Sequence, residues 1–142
     1  MAIEPPSWMR LDPEATNFWH TLGYRRLDSG NASVVIEWEA GDEYSFPDPT
    51  GDLIVHGGLV TALLDTAMGG ACASSLGDGE RFLTADLRAE FFRPARPGRL
   101  RAEGRVVHRT RSIAYCAADL TDPEGRLVAS SRCTQIVRSG EL

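Results

Sequence analysis

The chain has 142 residues, 42% of them hydrophobic and 25% charged, with a formal net charge of −5. That is enough apolar material for one packed domain, and too acidic a balance for nucleic acid as a general partner. No apolar run reaches membrane-spanning length, and the N-terminus lacks the basic start and apolar stretch of a signal peptide.

Charge is unevenly spread. Residues 1–80 hold 3 Arg and 13 Asp or Glu, and residues 81–142 hold 12 Arg and 7 Asp or Glu, so a −10 half precedes a +5 half. There is no Lys. Arg88, Arg93, Arg96, Arg99, Arg109 and Arg111 are either solvated charges of a sheet or ligands for phosphates of a small anion. Cys72, Cys116 and Cys133 lack metal-ligand spacing and read as small core residues of a reducing compartment, so the cytoplasm is expected and no metal is.

In chain order, residues 1–11 read as an arm. Asp12-Pro13-Glu14 signals a helix start, with the helix reaching about His20 and stopping at Gly23. Asp28, Ser29, Gly30 and Asn31 read as a turn, and residues 31–39 as a strand with Ala32, Val34, Ile36 and Trp38 on one face. Residues 43–52 read as a long loop.

From about Gly57 to Leu76 the pattern predicts one long apolar helix, opened by His56-Gly57-Gly58 and carrying a single carboxylate, Asp65, in its middle. An unpartnered buried carboxylate is costly, so it points to function. The glycine-rich opening leaves backbone N–H groups free at a helix N-terminus, where developing negative charge is stabilised. A base and an oxyanion donor on one element suggest acyl transfer.

Four strands are predicted after the helix. In the first, residues 81–93, Leu83, Ala85, Leu87, Ala89 and Phe91 share one face, and Phe82, Thr84, Asp86, Arg88, Glu90 and Phe92 the other. Residues 94–98 read as a turn, residues 99–109 alternate with Leu100, Ala102, Gly104 and Val106 inward, and two further strands follow. Successive hairpin turns imply an antiparallel sheet, and the apolar helix requires that sheet to wrap around it. The class is α+β.

This pattern resembles the hot-dog fold, and within it the acyl-CoA thioesterases of the phenylacetate-pathway (PaaI-like) type. The resemblance runs from about Gly23 to Val137. Its carriers are His56-Gly57-Gly58, Asp65 nine residues after that His, the helix through Ala73, the strand FLTADLRAEFFRPA with Arg93-Pro94, and the segment GRLVA beginning at Gly125. It implies one hot-dog domain over residues 1–142, with residues 1–22 as an arm and short helix. It also implies hydrolysis of acyl-CoA in a homodimer or dimer of dimers (a homotetramer), with coenzyme A as part of the substrate and no separate cofactor.

Residue by residue, the resemblance makes Gly57 the oxyanion donor and Asp65 the base or nucleophile. His56 orders the site, and Thr84 helps position the water from across a subunit interface. Phe46, Phe82 and Met68 are candidates for the acyl pocket, and Thr50, Gly58 and Arg93 complete the substrate-contacting set. The chain departs from the family at Thr50 and Leu53, where Asn and Gly are usual. That departure supports the alternative of an acyl-CoA-binding protein that does not hydrolyse. A hydratase fits less well, because Asp48 and Asp52 precede His56 by eight and four residues where five is expected.

Overall fold

The computed structural model describes residues 18–140. The expected arm and the helix start at Asp12 lie outside them. Helix α1 (Phe18–Leu22) ends at Gly23, whose φ of 76° is the left-handed conformation that closes a helix without strain. The Leu22 carbonyl accepts a hydrogen bond of 2.8 Å from Trp38 Nε1, tying this turn to the core.

Strand β1 (Arg25–Gly30) pairs antiparallel with β2 (Ser33–Ala40). The sequence reading has no strand at β1, because all its residues but Leu27 and Gly30 are polar and none is buried. The turn also falls later than expected. Gly30 pairs with Ser33, so Asn31 and Ala32 make the turn, and Ala32 sits there at φ 63° instead of on the inner face. Val34, Ile36, Trp38 and Ala40 form that face and are buried. The expected loop at 43–52 is largely structured. A 3-10 turn (Asp42–Tyr44) leads into a small hairpin of β3 (Ser45–Pro47) and β4 (Leu53–Val55).

Helix α2 (Gly57–Ser74) is the centre of the molecule. Val60, Leu63, Leu64, Ala67, Met68 and Ala71 recur at three- and four-residue steps and are buried, the stripe of a core-facing helix. Strands β5 (Glu80–Phe91), β6 (Gly98–Arg109), β7 (Ile113–Thr121) and β8 (Leu127–Ser139) follow. All pairings are antiparallel, and the sheet order is β1-β2-β6-β7-β8-β5. Its inner face lies on α2 through Ile36, Trp38, Leu100, Leu120 and Val128, each fully buried and contributing about 2 kcal/mol. Contact is closest at Gly104, where a Cβ would lie 2.2 Å from the Ala67 carbonyl oxygen. No helix of the described residues is long and apolar enough to cross a membrane.

Two features of β5 differ from expectation and both shape the site. Residues 94–98 are not a hairpin turn. β5 pairs with β8, and β6 with β2 and β7, so the segment after β5 crosses past β8 and β7 to the middle of the sheet. On the way, the Ala95 carbonyl accepts from Val55 N–H at 2.8 Å, beside the start of α2. Secondly, β5 bulges at Ala85: Thr84 pairs with Gln135 and Asp86 with Thr134, leaving Ala85 unmatched. A bulge reverses the side-chain alternation. Before it Phe82 and Thr84 face the helix, after it Leu87 and Ala89 do, and Leu83 is left 73% exposed.

Candidate active site

The mouth of α2 is built by its first three residues. His56 is the N-cap, and its Nδ1 accepts a 2.9 Å hydrogen bond from Gly58 N–H. That bond satisfies one of the unpaired N–H groups of the first turn. Gly58 permits it: a Cβ there would sit 3.0 Å from the His56 ring. Gly57 is the first helical residue, so its N–H has no intrahelical acceptor. A Cβ on Gly57 would meet the Phe91 ring at 3.6 Å, an ordinary contact. Phe46 lies edge-on to His56, with ring centroids 6.4 Å apart. Gly57 is thus framed by Phe91 and His56, with Phe46 beyond, under the positive end of the helix.

Asp65 stands on the flank of α2, half-buried, between the core stripe and the surface. Thr84 Oγ1 lies 3.3 Å from its Oδ1 and 2.9 Å from Gln135 Oε1. Burial pushes the Asp65 carboxyl above the usual aspartate range, and the Thr84 hydroxyl opposes this. None of the described ion pairs includes Asp65. The group is therefore a carboxylate of raised basicity with one polar neighbour, the character a general base needs. Thr84 belongs to the same chain as this Asp65, on the strand that the bulge turns inward. Phe82 lies over the next turn of the helix, its ring 3.5 Å from where a Cβ of Gly69 would be.

Gly57 and Asp65 are eight residues apart on one helix, a rise of about 12 Å. One chain therefore holds the Gly57 N–H and the Asp65 carboxyl too far apart to serve a single carbonyl.

A family model for the thioesterase superfamily matches residues 54–129, more than half of the chain. The chain belongs to the thioesterase superfamily. It is 29% identical over 97 positions to the medium/long-chain acyl-CoA thioesterase YigI of Escherichia coli, a match spanning 59% of this chain and 63% of that protein. Among solved structures, a phenylacetic acid degradation-related protein from Ralstonia eutropha superposes with a TM-score of 0.75 at 29% identity, covering 87% of this chain and 93% of that one. The Escherichia coli PaaI protein from the phenylacetic acid degradation operon has a TM-score of 0.76 at 21% identity, covering 86% and 84%, and shows the shared fold. The architecture is that of the hot-dog thioesterases.

Within this thioesterase-superfamily chain the remaining candidates scatter. Met68 is fully buried in the core, where Ser131 Oγ lies 3.4 Å from its sulfur, so it cannot line an acyl pocket open to the surface. Thr50 is bound into the tip between β3 and β4. Its N–H and hydroxyl both donate to Asp48 Oδ1, at 2.8 and 2.6 Å. These bonds, the hydroxyl's first, hold the Asp48 carboxyl down to about 2. Arg96 pins the same tip through Asp48 and the Leu53 carbonyl. Arg93 is exposed beyond β5, and none of the described ion pairs includes it. Arg109 is committed to structure, bonding Glu80 and the Ser75 carbonyl at the end of α2. Sequence reasoning missed Phe91 beside Gly57 and Gln135 beside Thr84. A Gln in the same alternating row as Ala129, Cys133 and Val137 was the available signal for the second.

Proposed function

We propose that this protein hydrolyses acyl-CoA thioesters to the free acid and coenzyme A. The observation that carries the reading is Asp65: a half-buried carboxylate of raised basicity on the core helix, partnered by a hydroxyl and in none of the described ion pairs. Water is the nucleophile, and Asp65 takes its proton as oxygen adds to the thioester carbon. The oxyanion that forms is stabilised by a Gly57 N–H, worth about 3–4 kcal/mol for one donor. Collapse breaks the carbon–sulfur bond, and the coenzyme A thiolate leaves with the proton from Asp65. Direct attack by Asp65 through an anhydride uses the same residues. The helical rise requires the Gly57 and Asp65 of one site to come from two chains, so the working unit is a homodimer or a dimer of dimers.

The substrate class draws on the relative named for medium/long-chain acyl-CoA and on the phenylacetate-related neighbours. The test is thiol release from a panel of medium-chain, aromatic and aryl-acetyl CoA esters, comparing native protein with Asp65→Ala. Saturable hydrolysis that falls by 10²–10⁴ in the variant, with the oligomer intact, supports the reading and names the acyl group. Binding without turnover across the panel would favour an acyl-CoA-binding protein instead. The observation on that side is Thr50: it stands where the family has Asn, and its hydroxyl is taken up by Asp48.

A further inference from the structure

Gln135 is a polar side chain with no exposed surface, on β8 directly across from Thr84 on β5. A buried amide is costly unless its hydrogen bonds are made. Its side chain meets two polar atoms, Thr84 Oγ1 at 2.9 Å and Cys133 Sγ at 3.3 Å. The Thr84 hydroxyl has one proton and faces two oxygens, Gln135 Oε1 and Asp65 Oδ1. One proton cannot serve both, and an ionised Asp65 has none to offer.

A half-turn of the Gln135 amide exchanges its oxygen and nitrogen while every other atom stays in place. With the nitrogen toward Thr84, the contest for the single Thr84 proton is resolved. The amide N–H donates to Thr84 Oγ1, the Thr84 O–H to Asp65 Oδ1, and the Cys133 thiol to the amide oxygen. We propose that Gln135 is a positioning residue of the catalytic centre, donating to Thr84 whenever Asp65 is ionised and so committing the Thr84 hydroxyl to the carboxylate. The proposal rests on the reading of Asp65 as the catalytic base. With Oδ1 held, the carboxylate has one orientation and Oδ2 is left for water.

The surroundings keep this chain simple. Asp65 responds to burial and to the Thr84 hydroxyl. The titratable groups along the network are thiols: Cys133 on β8, Cys116 directly across from it on β7, and Cys72 on α2, all three buried.

The test is a double-mutant cycle of Gln135→Met and Thr84→Val. It reads kcat, KM and the titration of the Asp65 carboxyl by carbon-13 NMR. We expect each single variant to lower kcat about 5-fold with KM little changed, the size of one lost hydrogen bond. The double variant should fall no further than Thr84→Val alone, because both act through one hydroxyl. The Asp65 midpoint should rise in both single variants. Gln135→Leu supplies the same arm if the thioether distorts the core. A Gln135 effect that persists in full on top of Thr84→Val, or an Asp65 midpoint unmoved by Gln135→Met, overturns the proposal. The titration needs no turnover. A native protein inactive on every thioester would therefore sink the reading of Asp65 as base, while the titration still decided whether Gln135 acts on it through Thr84.

Discussion

The proposed chemistry needs Asp65 ionised while its position half-buries it, and the two requirements oppose each other. Its folded pKa lies above the ordinary aspartate value of 3.8 because burial penalises the charge. A raised pKa favours the folded state below the unfolded value and loses that advantage as pH rises through the folded one. Above its raised folded value Asp65 therefore weakens the fold. Asp65→Asn should lower kcat by 10²–10⁴ and raise Tm at pH 7. The gain in Tm should shrink as pH falls through the raised folded value, and be gone below the ordinary aspartate value, where Asp65 is neutral in both states. Thermal melts of both proteins across that range check this. A variant less stable than native at pH 7 would mean that the carboxylate has a stabilising partner. Asp48 runs the other way. Its carboxyl, held down to about 2 chiefly by the Thr50 hydroxyl, stabilises above the ordinary value and loses that contribution as pH falls toward 2.

At the scale of elements, α2 was legible because its buried residues keep one helical period and its glycines and His56 mark one end. β2, β6, β7 and β8 were legible because each presents alternating small and apolar residues to that helix. β1 was not, since an edge strand with no buried residue leaves no apolar alternation to read. The faces of β5 were misread for a different reason: alternation assumes an unbroken register, and the bulge at Ala85 is written in hydrogen bonds, not in residue type. That same bulge makes Thr84 a neighbour of Asp65, so part of the site was invisible with it. Gly104 was legible as an inward position but not as a contact of backbone on backbone. An added methyl there would strike the Ala67 carbonyl at 2.2 Å, and neither element can yield without opening the core. Gly104→Ala should cost about 3 kcal/mol, near the upper end for overpacking, measured by urea unfolding. Gly77→Ala makes a fair control. Its nearest neighbour is the flexible end of Glu80 at 3.3 Å, and its loss should be far smaller.

For the whole molecule, the helix geometry and the sheet edge both support the proposed second copy. β5 is the last strand of the sheet order, twelve residues long and paired on one side by β8. Long bare edges are usually covered in native proteins. A second chain against β5 would bring another α2 near Thr84 and Asp65, and with it another Gly57. The two-chain site can be tested without knowing the interface. Gly57→Pro removes the N–H and adds a ring whose Cβ makes only an ordinary contact with Phe91; proline suits the first helical position, and His56 at φ −54° and ψ 128° already has the backbone that precedes proline. Alone it should reduce kcat by 10²–10³ with little change in Tm. Asp65→Ala alone should be as poor. Co-expressed in equal amounts, the two variants should regain about a quarter of native activity, because half of randomly paired dimers are mixed and each mixed dimer rebuilds one of its two sites. Differently tagged chains allow the mixed dimer to be isolated, where half of native activity is expected by the same count. If the isolated mixed dimer were no more active than its parents, donor and base would have to come from one chain. The helical rise of about 12 Å would then leave Gly57 unable to act on the carbonyl that Asp65 serves.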